Sequence, residues 1–219
     1  MNHPDFKYRV FGRTKGRSNK KINIDEYYGK INKYIFSVPN KNTNYILDIG
    51  TGYGESTIFL SNNFKKNTII SCETYISGNL NLIKKIEINK TTNIKIFPGN
   101  VNQLLDNLNP RVCFKFIWIL FPDPWPKKKH FKRRLITDNF LKKLNIFLDK
   151  DGEIFIATDS YSYSQQILKC IFNIRKTLYW KNQTKMHLGL RDFYELETKF
   201  YNKAIISGRK SSIFILKKI

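Results

Sequence analysis

Short apolar runs alternate with stretches of helical spacing along most of the chain. YILDI (45–49) predicts a buried strand ending at glycines, and 55–64 a helix. NTIISCE (67–73) reads as a strand, 78–89 as a helix, NIKIFPG (93–99) as a strand and 101–108 as a short helix. CFKFIWILF (113–121) is the most apolar segment and is expected near the middle of the sheet. Residues 134–148 place Leu135, Ile136, Phe140, Leu141, Leu144 and Leu148 at helical spacing. GEIFIAT (152–158) is the next strand, a helix follows over 161–173, and strand-like pieces near 176–180 and 212–217 close the chain. Ahead of these, Asp25 is a candidate N-cap for a helix carrying Tyr27, Tyr28, Ile31, Tyr34 and Ile35. Strands alternating with such helices predict an α/β fold, a mostly parallel sheet with helices on both faces. Residues 1–21 have few apolar anchors and read as a flexible basic arm, leaving 22–219 as one folded domain.

Composition narrows the class. The 219 residues suit one domain with a tail, and 41% hydrophobic content is enough for a core. No run of about 18 apolar residues marks a membrane span, and the first residues lack the apolar stretch of a signal peptide. Cys72, Cys113 and Cys170 form no CxxC, and the three histidines are scattered, so neither a disulfide framework nor a metal site is expected. A metal-free, cytoplasmic protein follows. The formal net charge is +22, and two short acid-free blocks, 7–21 and 127–134, hold 13 of the 39 lysines and arginines. A composition rich in Lys, Asn and Ile accounts for part of the total but not for the clustering. No greasy basic helix accompanies the blocks, so a nucleic acid is the expected polyanion before a membrane.

In open sheets of this kind, ligands bind beyond the carboxyl ends of the strands. LDIGTGYGES puts glycines at 50, 52 and 54 between a strand and a helix, where backbone can approach a ligand closely. The spacing is GxGxG rather than the dinucleotide GxGxxG, and no P-loop lysine follows. Glu73 ends the second strand, 19 residues after Gly54, placed to accept hydrogen bonds from a ribose diol. Asn100 follows the third strand, where an amide can pair with an adenine edge. Asp48 just before Gly50 suits a positively charged cofactor and repels phosphate, which favours S-adenosyl-L-methionine over a nicotinamide dinucleotide.

FPDPWPKKKHFKRRL (121–135) is the strongest signal. Prolines at 122, 124 and 126 stiffen the exit of the apolar strand. The loop then presents Asp123, which can accept hydrogen bonds from guanine N1–H and N2–H, and Trp125, whose indole can stack on an unstacked base. The cations that follow, through Arg134, can hold phosphates.

On LDIGTGYGES, Cys72–Glu73, FPDPWPKKKHFKRRL, ATD at 157–159 and ETKFY at 197–201, the chain resembles the bacterial single-subunit tRNA (guanine-N7-)-methyltransferases over residues 44–219. That resemblance implies a Rossmann-like, seven-stranded S-adenosyl-L-methionine-dependent fold. It implies methylation of a variable-loop guanosine, position 46 of tRNA. By motif match it implies cofactor contacts from Asp48, Gly50, Glu73, Asn100 and Asp123, with Asp123 also the catalytic carboxylate. Lys127, Asp159, Thr198, Lys199, Phe200 and Tyr201 would meet the substrate. Partners would be tRNA, with no membrane and no obligatory second protein, acting as monomer or homodimer. Three positions depart from the family pattern: Asp48 stands where many relatives have Glu, Asn100 replaces an Asp, and Tyr201 replaces the Glu of TKFE. Two other readings stay open at this point. One is an exocyclic-amine methyltransferase, suggested by the likeness of DPW to DPPY. The other is a non-catalytic RNA-binding protein on the same fold.

Overall fold

The computed structural model describes residues 8, 10–11, 23–37, 44–185, 196 and 198–219. Most of the basic arm, and Glu197 of the ETKFY motif, lie outside the described residues. Seven strands form one sheet in the order β3-β2-β1-β4-β5-β7-β6. The chain divides into two compact units, Met1–Val112 and Cys113–Ile219.

In the first unit, β1 (Tyr45–Ile49), β2 (Thr68–Cys72) and β3 (Ile94–Phe97) pair in parallel, with Leu47 opposite Ile70 and Ile70 opposite Lys95. All five residues of β1 are buried, as expected of an interior parallel strand. The helices are α1 (Ile24–Ile31), α2 (Glu55–Asn63), α3 (Ile76–Asn89) and α4 (Val101–Asn107). Helix α1 starts two residues earlier than an Asp25 cap predicts. Asn23 is the N-cap, its side chain accepting from the backbone of Asp25 and Glu26, and Asp25 lies in the first turn near the positive end of the helix dipole. After α1, Phe36 N donates to Ile96 O at 2.9 Å, so this segment pairs with the edge of β3 and covers its free backbone groups.

In the second unit, β4 (Phe114–Leu120) runs parallel to β5 (Leu148–Thr158), β7 (Ser212–Lys218) is antiparallel to β5, and β6 (Leu178–Trp180) is antiparallel to β7. The sheet is therefore mostly parallel with an antiparallel end. Trp118 stacks on Phe155 across the β4–β5 pair at 5.2 Å between centroids, and both are buried. Helix α5 spans Asp138–Ile146 and α6 spans Tyr161–Asn173. The helical spacing from 134 overstates α5 at its start, and at its end Leu148 already belongs to β5. The physical reason lies in tertiary bonds: Ile136 N donates to the Tyr163 hydroxyl and Ile136 O accepts from Gln166 Nε2, which hold 134–136 extended until Thr137 caps the helix. Helix α7 (Lys199–Ile206) has no counterpart among the predicted elements.

Candidate active site

Within Met1–Val112, the turn after β1 carries positive φ at Gly50 (73°), Gly52 (56°) and Gly54 (82°). Gly50 has open space where a Cβ would point, whereas at Gly54 a Cβ would meet the Leu82 side chain at 2.7 Å. The first leaves room beside the turn; the second lets α2 and α3 pack closely. Gly78 of α3 is also essential sterically, because its Cβ would collide with the Gly52 carbonyl.

Asp48, next to last in β1, is buried, and its Oδ2 accepts from Ser56 Oγ and Thr57 Oγ1, both at 2.7 Å. Burial lifts its carboxyl to about 6, against the pull of the two hydroxyls, and the charge of Glu73 adds to the rise. Glu73 folds back onto the turn: Oε2 accepts from Gly52 N at 2.8 Å, and Oε1 from Thr74 N at 2.7 Å and Tyr75 N at 2.9 Å. Burial raises its carboxyl above the ordinary range while those amides oppose the shift. Thr74 Oγ1 makes a longer contact to Oε1 at 3.5 Å, whereas Oε2 accepts only from Gly52 N, so Oε2 retains acceptor capacity for a ligand. Among the described residues neither acid is paired with a lysine or arginine. Two carboxylates flanking an open glycine turn without a cation of their own suit a ligand that brings positive charge and hydroxyls, which fits S-adenosyl-L-methionine and disfavours a phosphate. Asn100 has a further role: it is the N-cap of α4, accepting from Asn102 N, while its Nδ2 donates to the Tyr8 carbonyl at 3.5 Å. The Tyr8 hydroxyl also donates to Asp106 at 2.8 Å.

Within Cys113–Ile219, β4 makes its last ladder bond at Phe121 N to Ala157 O, and Phe121 then turns into the left-handed region (φ 50°). Trp125 does the same (φ 41°). Each precedes a proline, which ordinarily favours extended backbone, and left-handed conformations cost roughly 1–2 kcal/mol at non-glycine residues. Such strain persists only where surroundings over-determine it. Here the restraint is Arg134. Its guanidinium donates to Pro124 O (Nε, 2.8 Å), Ser162 O and Gln166 Oε1 (Nη1, 2.9 and 3.1 Å) and Ser162 Oγ (Nη2, 2.8 Å), and lies over Phe131 and Tyr163. At 3% exposure Arg134 is no phosphate contact, which corrects its place among the RNA-facing cations. The basic run alone gives no sign of this, since Ser162, Tyr163 and Gln166, which enclose the guanidinium on α6, lie 28 to 32 residues away.

The exposed cations of the block are Lys127, Lys128, Lys129 and Lys132, on and before a 3-10 turn (Lys128–Arg133). Arg133 lies 5.1 Å over the Trp125 ring and His130 meets that ring edge-on at 5.8 Å, so part of the indole expected to stack on a base is covered by protein. Desolvation, then the charges of Arg133, Lys129, Lys127 and Lys132, lowers the His130 pKa. Asp123 is exposed at the tip of the loop.

Asp159 follows β5, and Arg209 Nε donates to its Oδ2 at 2.7 Å. Asp159, Pro124 and Arg209 line a groove of about 970 Å³; Lys127 and 198–201 are not among its lining residues. The family motif at 198–201 divides between inside and outside. Thr198 caps α7 by accepting from Tyr201 N, and Tyr201 is buried with its ring 6.3 Å from Phe121, whereas Lys199 and Phe200 are exposed. Ser56, Thr57, Arg134 and Arg209 are the functional candidates that motif reading misses. Ser56 lies within the quoted glycine motif and Thr57 just after it, and Arg209 follows a glycine just before the last strand.

A family model described as "Putative methyltransferase" matches residues 42–212. Among curated proteins, the tRNA (guanine-N(7)-)-methyltransferase of Neorickettsia sennetsu is 30% identical over 169 residues, 76% of this chain and 76% of the relative. That of Wolbachia pipientis wMel is 33% identical over 205 residues, 90% of this chain and 88% of the relative. Among solved structures, an rRNA methylase from Streptococcus thermophilus superposes with a TM-score of 0.55 at 11% identity, covering 92% of this chain and 99% of that one. A methyltransferase from Streptococcus mutans in complex with SAH gives a TM-score of 0.52 at 12% identity, covering 91% and 99%. At such identities the structural likeness concerns the fold alone.

Proposed function

The chain belongs to the tRNA (guanine-N7-)-methyltransferase family, and from that premise we propose that it methylates N7 of the variable-loop guanosine at position 46 of tRNA, using S-adenosyl-L-methionine. The observation that carries the reading is the division of charge. Two carboxylates that have no basic partner among the described residues flank the glycine turn, while exposed lysines crowd the segment after the proline-braced loop. The first arrangement accepts a cationic cofactor; the second accepts a polyanion.

Asp48, held by Ser56 and Thr57, and Glu73, held by the turn amides, would bind the cofactor together with Gly50, Asn100 and Asp123. When bound, S-adenosyl-L-methionine supplies an electrophilic methyl on a sulfonium. Guanine N7 carries an in-plane lone pair and no proton, so attack on that methyl needs no general base. The chain's contribution is then mostly positioning, which can supply roughly 7–11 kcal/mol when geometry is good. Asp123 takes the role of anchor: its carboxylate accepts from the guanine N1–H and N2–H edge and favours the positive charge the ring acquires. Lys127, Asp159, Thr198, Lys199, Phe200 and Tyr201 form the substrate side, Thr198 and Tyr201 by shaping α7 rather than by reaching outward. Among the described residues no helix is long and apolar enough to cross a membrane. We place the reaction in the cytoplasm, carried out by a monomer or homodimer without an obligatory second protein.

Incubation with S-adenosyl-L-methionine and bulk tRNA, followed by nucleoside analysis, tests this. The expected product is 7-methylguanosine. An N2- or N6-methylated nucleoside would replace the reading with an exocyclic-amine methyltransferase, and no methyl transfer would leave an RNA-binding protein.

A further inference from the structure

Helix α7 carries the family motif at its start and delivers a different group at its end. Gly208 (φ +66°) closes the helix in a left-handed cap, with Gly208 N donating to Ile205 O and Arg209 N to Ala204 O, both at 2.9 Å. The cap fixes the backbone of Arg209, whose Nε binds Asp159 at 2.7 Å. The Nη groups of Arg209 make no further hydrogen bond among the described residues, which leaves four N–H donors in a planar fork. Lys210, exposed beside it, has no hydrogen bond or ion pair among the described residues. Both cations line the 970 Å³ groove, and so does Tyr161, which is 80% exposed at the first turn of α6. A ring this open beside two cations matches the two faces of a nucleotide: base for stacking, phosphate for charge. Against one carboxylate, the two cations leave the lining net positive.

We propose that this groove is an RNA subsite for the nucleotide next to the methylated guanosine, in which Arg209 and Lys210 hold its phosphate and Tyr161 stacks its base. The proposal rests on the tRNA reading above. Asp159 then has a second task besides its substrate contact: it orients the Arg209 fork before RNA arrives, so less side-chain freedom is lost on binding.

The test measures binding of an unmodified tRNA transcript to the full-length protein between 50 and 200 mM salt. Each phosphate-bound cation removed lowers the salt slope by about 1. Arg209→Ala/Lys210→Ala is expected to lower it by about 2, Lys210→Ala by about 1, and Arg209→Lys to restore most of the Arg209 share. Tyr161→Ala is expected to weaken binding about 10-fold at unchanged slope. Lys210 has no partner to lose among the described residues, so Lys210→Ala keeps the test valid even if Arg209 variants fold poorly. A wild-type slope in Lys210→Ala and the double variant overturns the phosphate site, and wild-type affinity in Tyr161→Ala overturns the stacking. Product analysis on the wild type separates the two proposals. If 7-methylguanosine forms while slopes are unchanged, only the subsite fails; if none forms while slopes fall, the methylation reading fails and the RNA groove stands.

Discussion

The buried guanidinium of Arg134 donates through Nε to the carbonyl of Pro124 at 2.8 Å and through Nη2 to Ser162 Oγ at 2.8 Å, so the loop that presents Asp123 is fastened to helix α6. Two left-handed non-glycine residues, Phe121 and Trp125, bracket that loop, and the Arg134 bonds offset their cost. Arg134→Ala is expected to destabilise the fold by about 2–3 kcal/mol, the range for lost hydrogen bonds to a charged group. It is also expected to lower methyl transfer more than cofactor affinity. Arg134→Lys, which keeps the charge but not the fork, recovers only part. Denaturant midpoints at constant m, with kinetics on saturating tRNA, check both.

The buried carboxyl of Asp48 costs stability when ionised, and we propose that the same charge serves the cofactor. Its carboxyl titrates near 6 in the fold, above its ordinary 3.8, so the folded state holds the extra proton and this group's contribution to stability falls as pH rises from about 4 to about 6. At neutral pH the ionised group costs up to about 3 kcal/mol. Asp48→Asn is therefore expected to raise the melting temperature at pH 7.5, a gain that vanishes below pH 4, and to weaken cofactor binding at least about 10-fold if it removes about 1.4 kcal/mol of attraction. Wild-type cofactor affinity should fall as pH drops through about 6. Melting curves and calorimetry over pH 4–8 measure both effects.

By the resemblance Tyr201 stands in place of a Glu, and its ring is buried with a 6.3 Å approach to Phe121. Restoring the family residue is therefore not a repair here. Tyr201→Glu removes an aromatic from the interior and buries a carboxylate, and is expected to destabilise by about 3 kcal/mol or more. Tyr201→Phe, which nearly conserves volume, should cost less than about 1.5 kcal/mol. Thermal unfolding of the two variants decides between a packing role and a substrate-facing one.

Asp123 is exposed, as a group that meets substrate must be. If it accepts from the guanine edge as a charged acceptor worth about 1.5–3 kcal/mol, Asp123→Ala lowers kcat/KM for tRNA about 10- to 100-fold. A kcat/KM for tRNA close to the parent's would remove the anchoring role.

The strands were readable because interior parallel strands are continuous apolar runs: YILDI is β1 residue for residue, and 161–173 is α6. The start of α5 was not, because Ile136 is held extended by Tyr163 and Gln166, partners 27 and 30 residues further on. Arg134 illustrates the same limit within the site. In sequence it is one more cation in a run of six, and only Pro124, Ser162 and Gln166 around it turn it from an RNA contact into a brace. Asp48 and Glu73 were legible as acids at strand ends, but not the hydroxyls and amides that hold them. Helix α7 has a Thr cap at 198 and apolar positions at Tyr201, Ala204 and Ile205, but at 8 residues it is too short for periodicity alone to mark it.

The central claim is that the methyl goes to the unprotonated N7 of one guanine without a general base. The most direct measurement compares tRNA carrying 7-deazaguanosine at position 46, which lacks that lone pair, with the otherwise identical guanosine transcript. Full methyl incorporation into the guanosine transcript and none into the deaza transcript is expected, with both binding equally. Equal methylation of the two would contradict the claim.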